Sequence, residues 1–102
     1  MSSDRTTTDG PMAPDGFRVG ERVHHGIRGR QFKLIDFLWP RRNRMAEIAD
    51  LPSAVWGTDC GVKVNAVDQL VHRTNRRLAE FGAPYGVRRV GDVVQVYDRR
   101  KG

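Results

Sequence analysis

One cysteine, Cys60, stands alone among 102 residues, so no disulfide can form within the chain and a reducing, cytoplasmic setting is expected. Long apolar runs are missing too. Nothing approaches the roughly 18 consecutive apolar residues of a membrane-spanning helix, and the amino end lacks the basic-then-apolar build of a secretion signal. No membrane partner is therefore expected. Catalytic patterns are equally scarce: no glycine-rich phosphate loop follows a strand, and no Ser-His-Asp, Cys-His or paired-carboxylate arrangement has supporting context. Cys60 has no CxxC partner, and adjacent His24 and His25 in an extended segment point to opposite faces, so with His72 they make no zinc ligand set. The expectation is a protein that is not an enzyme and uses no metal, cofactor or small-molecule substrate. Aromatics are only 8% and sit in apolar stretches, which counts against base stacking on single-stranded or structured RNA.

Acidic residues are the other deficit, 12 against 18 lysines and arginines, for a net charge of +6 and an isoelectric point near 10.4. The imbalance is uneven. Residues 1–16 hold Asp4, Asp9 and Asp15 against Arg5, so residues 17–102 carry 17 basic and 9 acidic groups, a net of +8. A basic folded part favours an anionic partner, nucleic acid first. With 38% apolar residues, a chain of this length has room for one small core.

Residues 1–16 are small, polar and interrupted by glycine and proline, and are expected to form an unstructured arm. From Phe17, β-prone pieces at 17–19 and 22–27 flank Gly20 and Glu21, which predicts an amino-terminal hairpin leaning on the helices that follow. In residues 30–39, Gln31, Leu34, Ile35 and Leu38 share one helical face, and Pro40 stops the helix. The RRNR connector that follows offers Arg41, Arg42 and Arg44 as phosphate contacts, or simply a solvated loop. Pro52 fits only a first helical turn, which predicts a short helix over 51–56 capped by Asp50, with Trp56 plugging the core and 45–48 as an approach segment, either a bridging strand or a separate helical turn.

The strongest pattern lies at 65–81. Val67, Leu70, Val71, Thr74, Leu78 and Phe81 form a buried stripe, Asn65 is the expected N-cap, Asp68 is expected in the first turn, and Gly82 with Pro84 closes the helix. Its other side carries Asp68, Gln69, His72, Arg73, Asn75, Arg76 and Arg77, donors and amides suited to phosphates and base edges. Lys63, just ahead of it, is a further candidate phosphate contact. Beyond Phe81 the period changes to that of strands, and Gly91-Asp92 between β-branched runs predicts a hairpin over 87–97 with Arg88 and Arg89 beside its tip. Residues 99–102 are a basic tail.

Hairpin, helix, short helix, long polar-faced helix and arginine-bearing hairpin follow the order of an α+β winged helix-turn-helix domain over residues 17–98. The text resembles the OmpR/PhoB-type winged-helix effector domain of bacterial response regulators. The likeness rests on Gln31-Phe32-Lys33-Leu34-Ile35-Asp36-Phe37-Leu38, on Asp50-Leu51-Pro52-Ser53-Ala54-Val55-Trp56-Gly57, and on Val67, Val71, Thr74 and Arg77-Leu78. It departs from the family's usual Leu-Arg at Thr74-Asn75 and from its Gly-x-Gly-Tyr wing turn at Val90-Gly91-Asp92-Val93. The resemblance implies double-stranded DNA binding; a third departure is that no receiver domain precedes the module, so a stand-alone, nucleoid-associated transcriptional regulator is expected. Helix 65–81 would enter the major groove and wing 87–97 would lie on the minor groove or backbone. The implied contacts are Asp68, Gln69, His72, Arg73 and Arg76, with Arg88 and Arg89 from the wing, and Asn65 and Arg77 on the same helix complete the expected DNA-binding set. One module makes a small interface, so a homodimer or a partner in the transcription machinery is expected. The competing reading is a protein-interaction adapter on the same scaffold.

Overall fold

The computed structural model describes residues 9–100. It is α+β, with three helices and two small antiparallel sheets. The first sheet is a meander of β1 (Gly10–Met12), β2 (Gly16–Val19) and β3 (Arg22–His25), ordered β1-β2-β3. Helix α1 (Arg30–Leu38) follows, then β4 (Met45–Glu47), a short helix (Pro52–Trp56), the long helix α2 (Val64–Glu80), and the hairpin β5 (Tyr85–Val90) and β6 (Val93–Asp98). Strand β4 joins that hairpin in the order β4-β6-β5, Met45 opposite Gln95 and Glu47 opposite Val93, so of the two alternatives for residues 45–48 the bridging strand forms over Met45–Glu47. Among the described residues no helix is long and apolar enough to cross a membrane.

The amino-terminal expectation is corrected over part of its length. Residues 1–8 lie outside the described residues, but Gly10–Met12 pair with Gly16–Arg18 as an edge strand, where an unstructured arm was expected. What holds it is tertiary. Asp9 accepts a hydrogen bond from the Gly20 amide (2.7 Å) and one from the Tyr85 hydroxyl (2.5 Å), clasping the segment to both sheets. Partial burial of the Asp9 carboxyl disfavours its charge, but the Tyr85 and Gly20 donors, with Arg100 and Arg44 nearby, more than offset this and lower its pKa below the ordinary carboxylate value. Tyr85 shifts the opposite way: burial, then the Asp9 bond, raise its pKa and keep the phenol a donor. The tail is attached as well, since the Arg99 amide donates to Pro84 O (2.7 Å) and Arg100 pairs with Asp98 (2.9 Å).

One core joins these pieces. Leu34, Ile35 and Leu38 of α1 meet Leu51, Val55, the α2 stripe of Val67, Leu70, Val71 and Leu78, and the inward valines Val87, Val94 and Val96. Thr74, in the same stripe, is fully buried and satisfies its hydroxyl on Leu70 O (2.8 Å), so a polar residue sits in the core at little cost. Phe17, Trp39 and Tyr85 form an edge-to-face trio, centroids 5.1 to 5.9 Å apart, that locks the first sheet to α1 and β5.

Helix ends differ from expectation at the start and agree at the finish. Asp50 closes a tight turn (Ile48–Asp50) that runs into the short helix, and neither it nor Asn65 accepts a capping hydrogen bond on its side chain. Asn65 lies inside the first turn of α2, which pushes Asp68 beyond that turn. At the carboxy end, Ala83 N–H bonds Leu78 O and Gly82 N–H bonds Ala79 O (both 3.0 Å). This closure needs the left-handed backbone that Gly82 adopts at φ 70°.

Candidate nucleic-acid interface

Burial of the α2 stripe turns the opposite side of the helix to solvent. Asn65, Gln69, His72, Arg73 and Arg76 are exposed there, as is Lys63 ahead of the first turn. Among the described residues none of these side chains takes part in a hydrogen bond or ion pair. A 17-residue helix is about 25 Å long at 1.5 Å per residue, so this face offers rigidly spaced donors over several turns. Such a face can present guanidinium forks and an amide to base edges or phosphates.

Other residues expected in the same set have different work. The Asp68 carboxylate accepts from Arg89 Nε (2.6 Å) and Nη2 (3.3 Å), while Arg89 Nη1 donates to Gly91 O (2.7 Å). The pair ties the β5–β6 tip to the first half of α2, and each charge cancels the other at the surface. The Asp68 bond, working against partial desolvation, raises the Arg89 pKa further above its ordinary range. Asn75 is turned inward to β5: its Nδ2 donates to Val87 O and its Oδ1 accepts from Val87 N, both at 2.6 Å. Arg77 is half-exposed and paired with Glu80 (2.8 Å).

Strand alternation separates the two wing arginines. Val87 and Arg89 share the face that meets α2, whereas Arg88 lies on the outer face with Gln95 and Tyr97. Arg88 donates to Gln95 Oε1 (3.2 Å) and stacks 4.7 Å over the Tyr97 ring. Of the connector arginines, Arg41 and Arg44 join Arg88 on this outer side, and Arg42 is exposed. Arg88, Arg41 and Arg44, expected on the wing and in the connector, therefore stand apart from the α2 surface.

Two arginines absent from that expectation extend the α2 face. Arg28 and Arg30, at the entrance to α1, line a crevice of about 260 Å³ with Gln31, Trp56, Gln69 and Arg73. Arg30 lies 5.9 Å from the centre of the Trp56 ring, so Trp56 is a half-buried wall here and not solely a core plug. Arg73 also lines the adjoining depression with Arg76, which makes Arg28, Arg30, Arg73 and Arg76 one basic strip from α1 to the middle of α2. The Arg-Gly-Arg run before an amphipathic helix was the available signal.

Among the described residues no cluster of three or more His, Cys, Asp or Glu side chains could hold a metal ion. His24 instead stacks on Phe81 with centroids 5.1 Å apart, and His25 contacts Asp15 at 3.3 Å. The chain matches no known protein-family model and no curated protein.

Proposed function

We propose that the protein binds double-stranded DNA as a winged helix-turn-helix module, with α2 in the major groove and the β5–β6 hairpin as the wing, and regulates transcription. The observation that carries this reading is the row of unpaired donors Gln69, His72, Arg73 and Arg76 on the solvent face of a rigid helix. An α-helix fits the major groove, where Arg can hold guanine and Gln can hold adenine through paired hydrogen bonds. The strip through Arg28 and Arg30 supplies cations for the phosphates flanking that helix. Further support is the element order: a helix, a bridging strand, a short helix, the long helix and a hairpin that pairs with the bridging strand. In this reading Asp68 and Arg89 position the wing and do not touch bases. A module of this size reaches useful specificity as a dimer or on paired sites.

The test is a duplex titration by gel shift and anisotropy over a range of salt. Replacing Arg73 and Arg76 by Ala is expected to weaken duplex affinity about 10- to 100-fold and to flatten the salt dependence, with an unchanged circular dichroism spectrum. Equal binding by variant and wild type removes α2 from the interface. No duplex binding by the wild type at low salt leaves the adapter reading in its place.

A further inference from the structure

The geometry points to a second phosphate-binding surface on the outer face of the β4-β6-β5 sheet, one that takes the backbone of a second DNA duplex, so that a single chain bridges two duplexes. This rests on the DNA-binding reading of α2. The face holds an open groove of about 730 Å³ to which Arg41, Arg44 and Arg88 contribute from two separate stretches of chain. Each arginine is laid on a ring: Arg44 at 3.7 Å over Trp39, Arg88 at 4.7 Å over Tyr97 and Arg41 at 4.8 Å over Phe37. Stacking leaves the edges of a guanidinium free to donate while it limits the side chain's freedom. Arg41 uses only Nε internally, on Met45 O (3.1 Å), and Arg88 only Nη2. Asp98, the one carboxylate among the described residues that line the groove, is bonded twice by the Arg100 guanidinium (2.9 and 3.0 Å). Glu47 stands nearer the hairpin tip, outside the groove.

Three features choose the occupant. The groove is open and polar, whereas a small phosphorylated molecule needs a cavity that encloses most of its surface. Single strands need free aromatic faces for stacking, and here Arg44 covers Trp39 while Tyr97 lies between Arg88 and Gly86. The ring is so close to Gly86 that any Cβ there would come within 2.8 Å of it. Finally, the opposite face of the same sheet, with Val87, Val94 and Val96, is buried in the core that α2 covers. A straight duplex along α2 reaches one side of the sheet, and the groove requires another.

The experiment mixes donor- and acceptor-labelled short duplexes with protein held monomeric by sedimentation, and reads energy transfer beside single-duplex anisotropy. Wild type is expected to bring the duplexes together. R41A/R44A/R88A should lose the transfer while a single duplex still binds through the intact α2 cations, and R73A/R76A should show the reverse order of loss, single-duplex binding first. Because Arg44 also packs on Trp39, R88E serves as the milder variant, with second-duplex affinity expected to fall at least about fivefold. Single-duplex binding without transfer in wild type overturns this proposal and leaves the α2 reading standing. Transfer that survives in both variants also overturns it, and binding of polyglutamate with no second duplex assigns the groove to an acidic polypeptide. Absence of any duplex binding defeats both readings.

Discussion

The cations of α2 and those of the outer sheet face differ in what lies beneath them. Arg73 and Arg76 extend from a helix into solvent without an aromatic support, whereas Arg41, Arg44 and Arg88 are each spread on a ring. An unsupported arginine loses up to about 2 kcal/mol of rotamer freedom when it is immobilised, but it can adjust its fork to a base edge. A ring-held arginine has surrendered part of that freedom on folding and offers a fixed fork, which suits a regular backbone better than a particular base. The same residue type is thus adaptable on one surface and pre-set on the other.

The largest expected effect comes from removing a ring. Trp39→Ala takes away the support of Arg44 and one member of the trio with Phe17 and Tyr85, and should cost about 2–4 kcal/mol in urea unfolding. Single-duplex binding by the folded fraction should persist, and its loss would show that the two surfaces are not independent. Asn75→Ala comes next. It leaves Val87 N–H and C=O without their partners on α2, an expected loss of about 1–3 kcal/mol. The variant should also loosen the hairpin against α2, measurable as faster amide exchange at Val87.

A smaller effect is pH-dependent. The Asp9 carboxyl has a pKa below its unfolded value near 3.8, so its contribution is fully present above that value and is lost as pH falls through the lower, folded one. Wild type should exceed Asp9→Asn in stability at neutral pH, and the difference should shrink below about pH 4. A constant difference across that range would mean the charge is not what anchors β1. Smallest is Asp68→Asn, which frees Arg89 without adding a base contact. DNA affinity should change by less than about threefold, because an exposed ion pair contributes little.

Periodicity made α1, α2, the Pro52 helix and both hairpin turns legible, because each is local: a stripe, a proline, a glycine beside a glutamate or an aspartate. The α2 donors were legible for the same reason, since they are what remains when the buried stripe is subtracted. Strand β1 was not. Its residues read as loop, and the Asp9 anchor depends on Tyr85, 76 positions away. Arg28 and Arg30 were missed because they meet Arg73 only after folding. Arg88 and Arg89 were grouped by adjacency although strand alternation separates them, and the unusual Asn75 made sense only once Val87 was seen opposite it.

The two Asn75 bonds carry one more implication. Strand β5 borders its sheet, and the outward amide and carbonyl of Val87 would otherwise invite a strand from a neighbouring molecule. A carboxamide from the chain's own helix occupies that position, so extended ribbons cannot zip along this border through its centre. Pairing of β5 with a second copy is thereby blocked at its midpoint, which favours discrete molecules over an open-ended ribbon along this border.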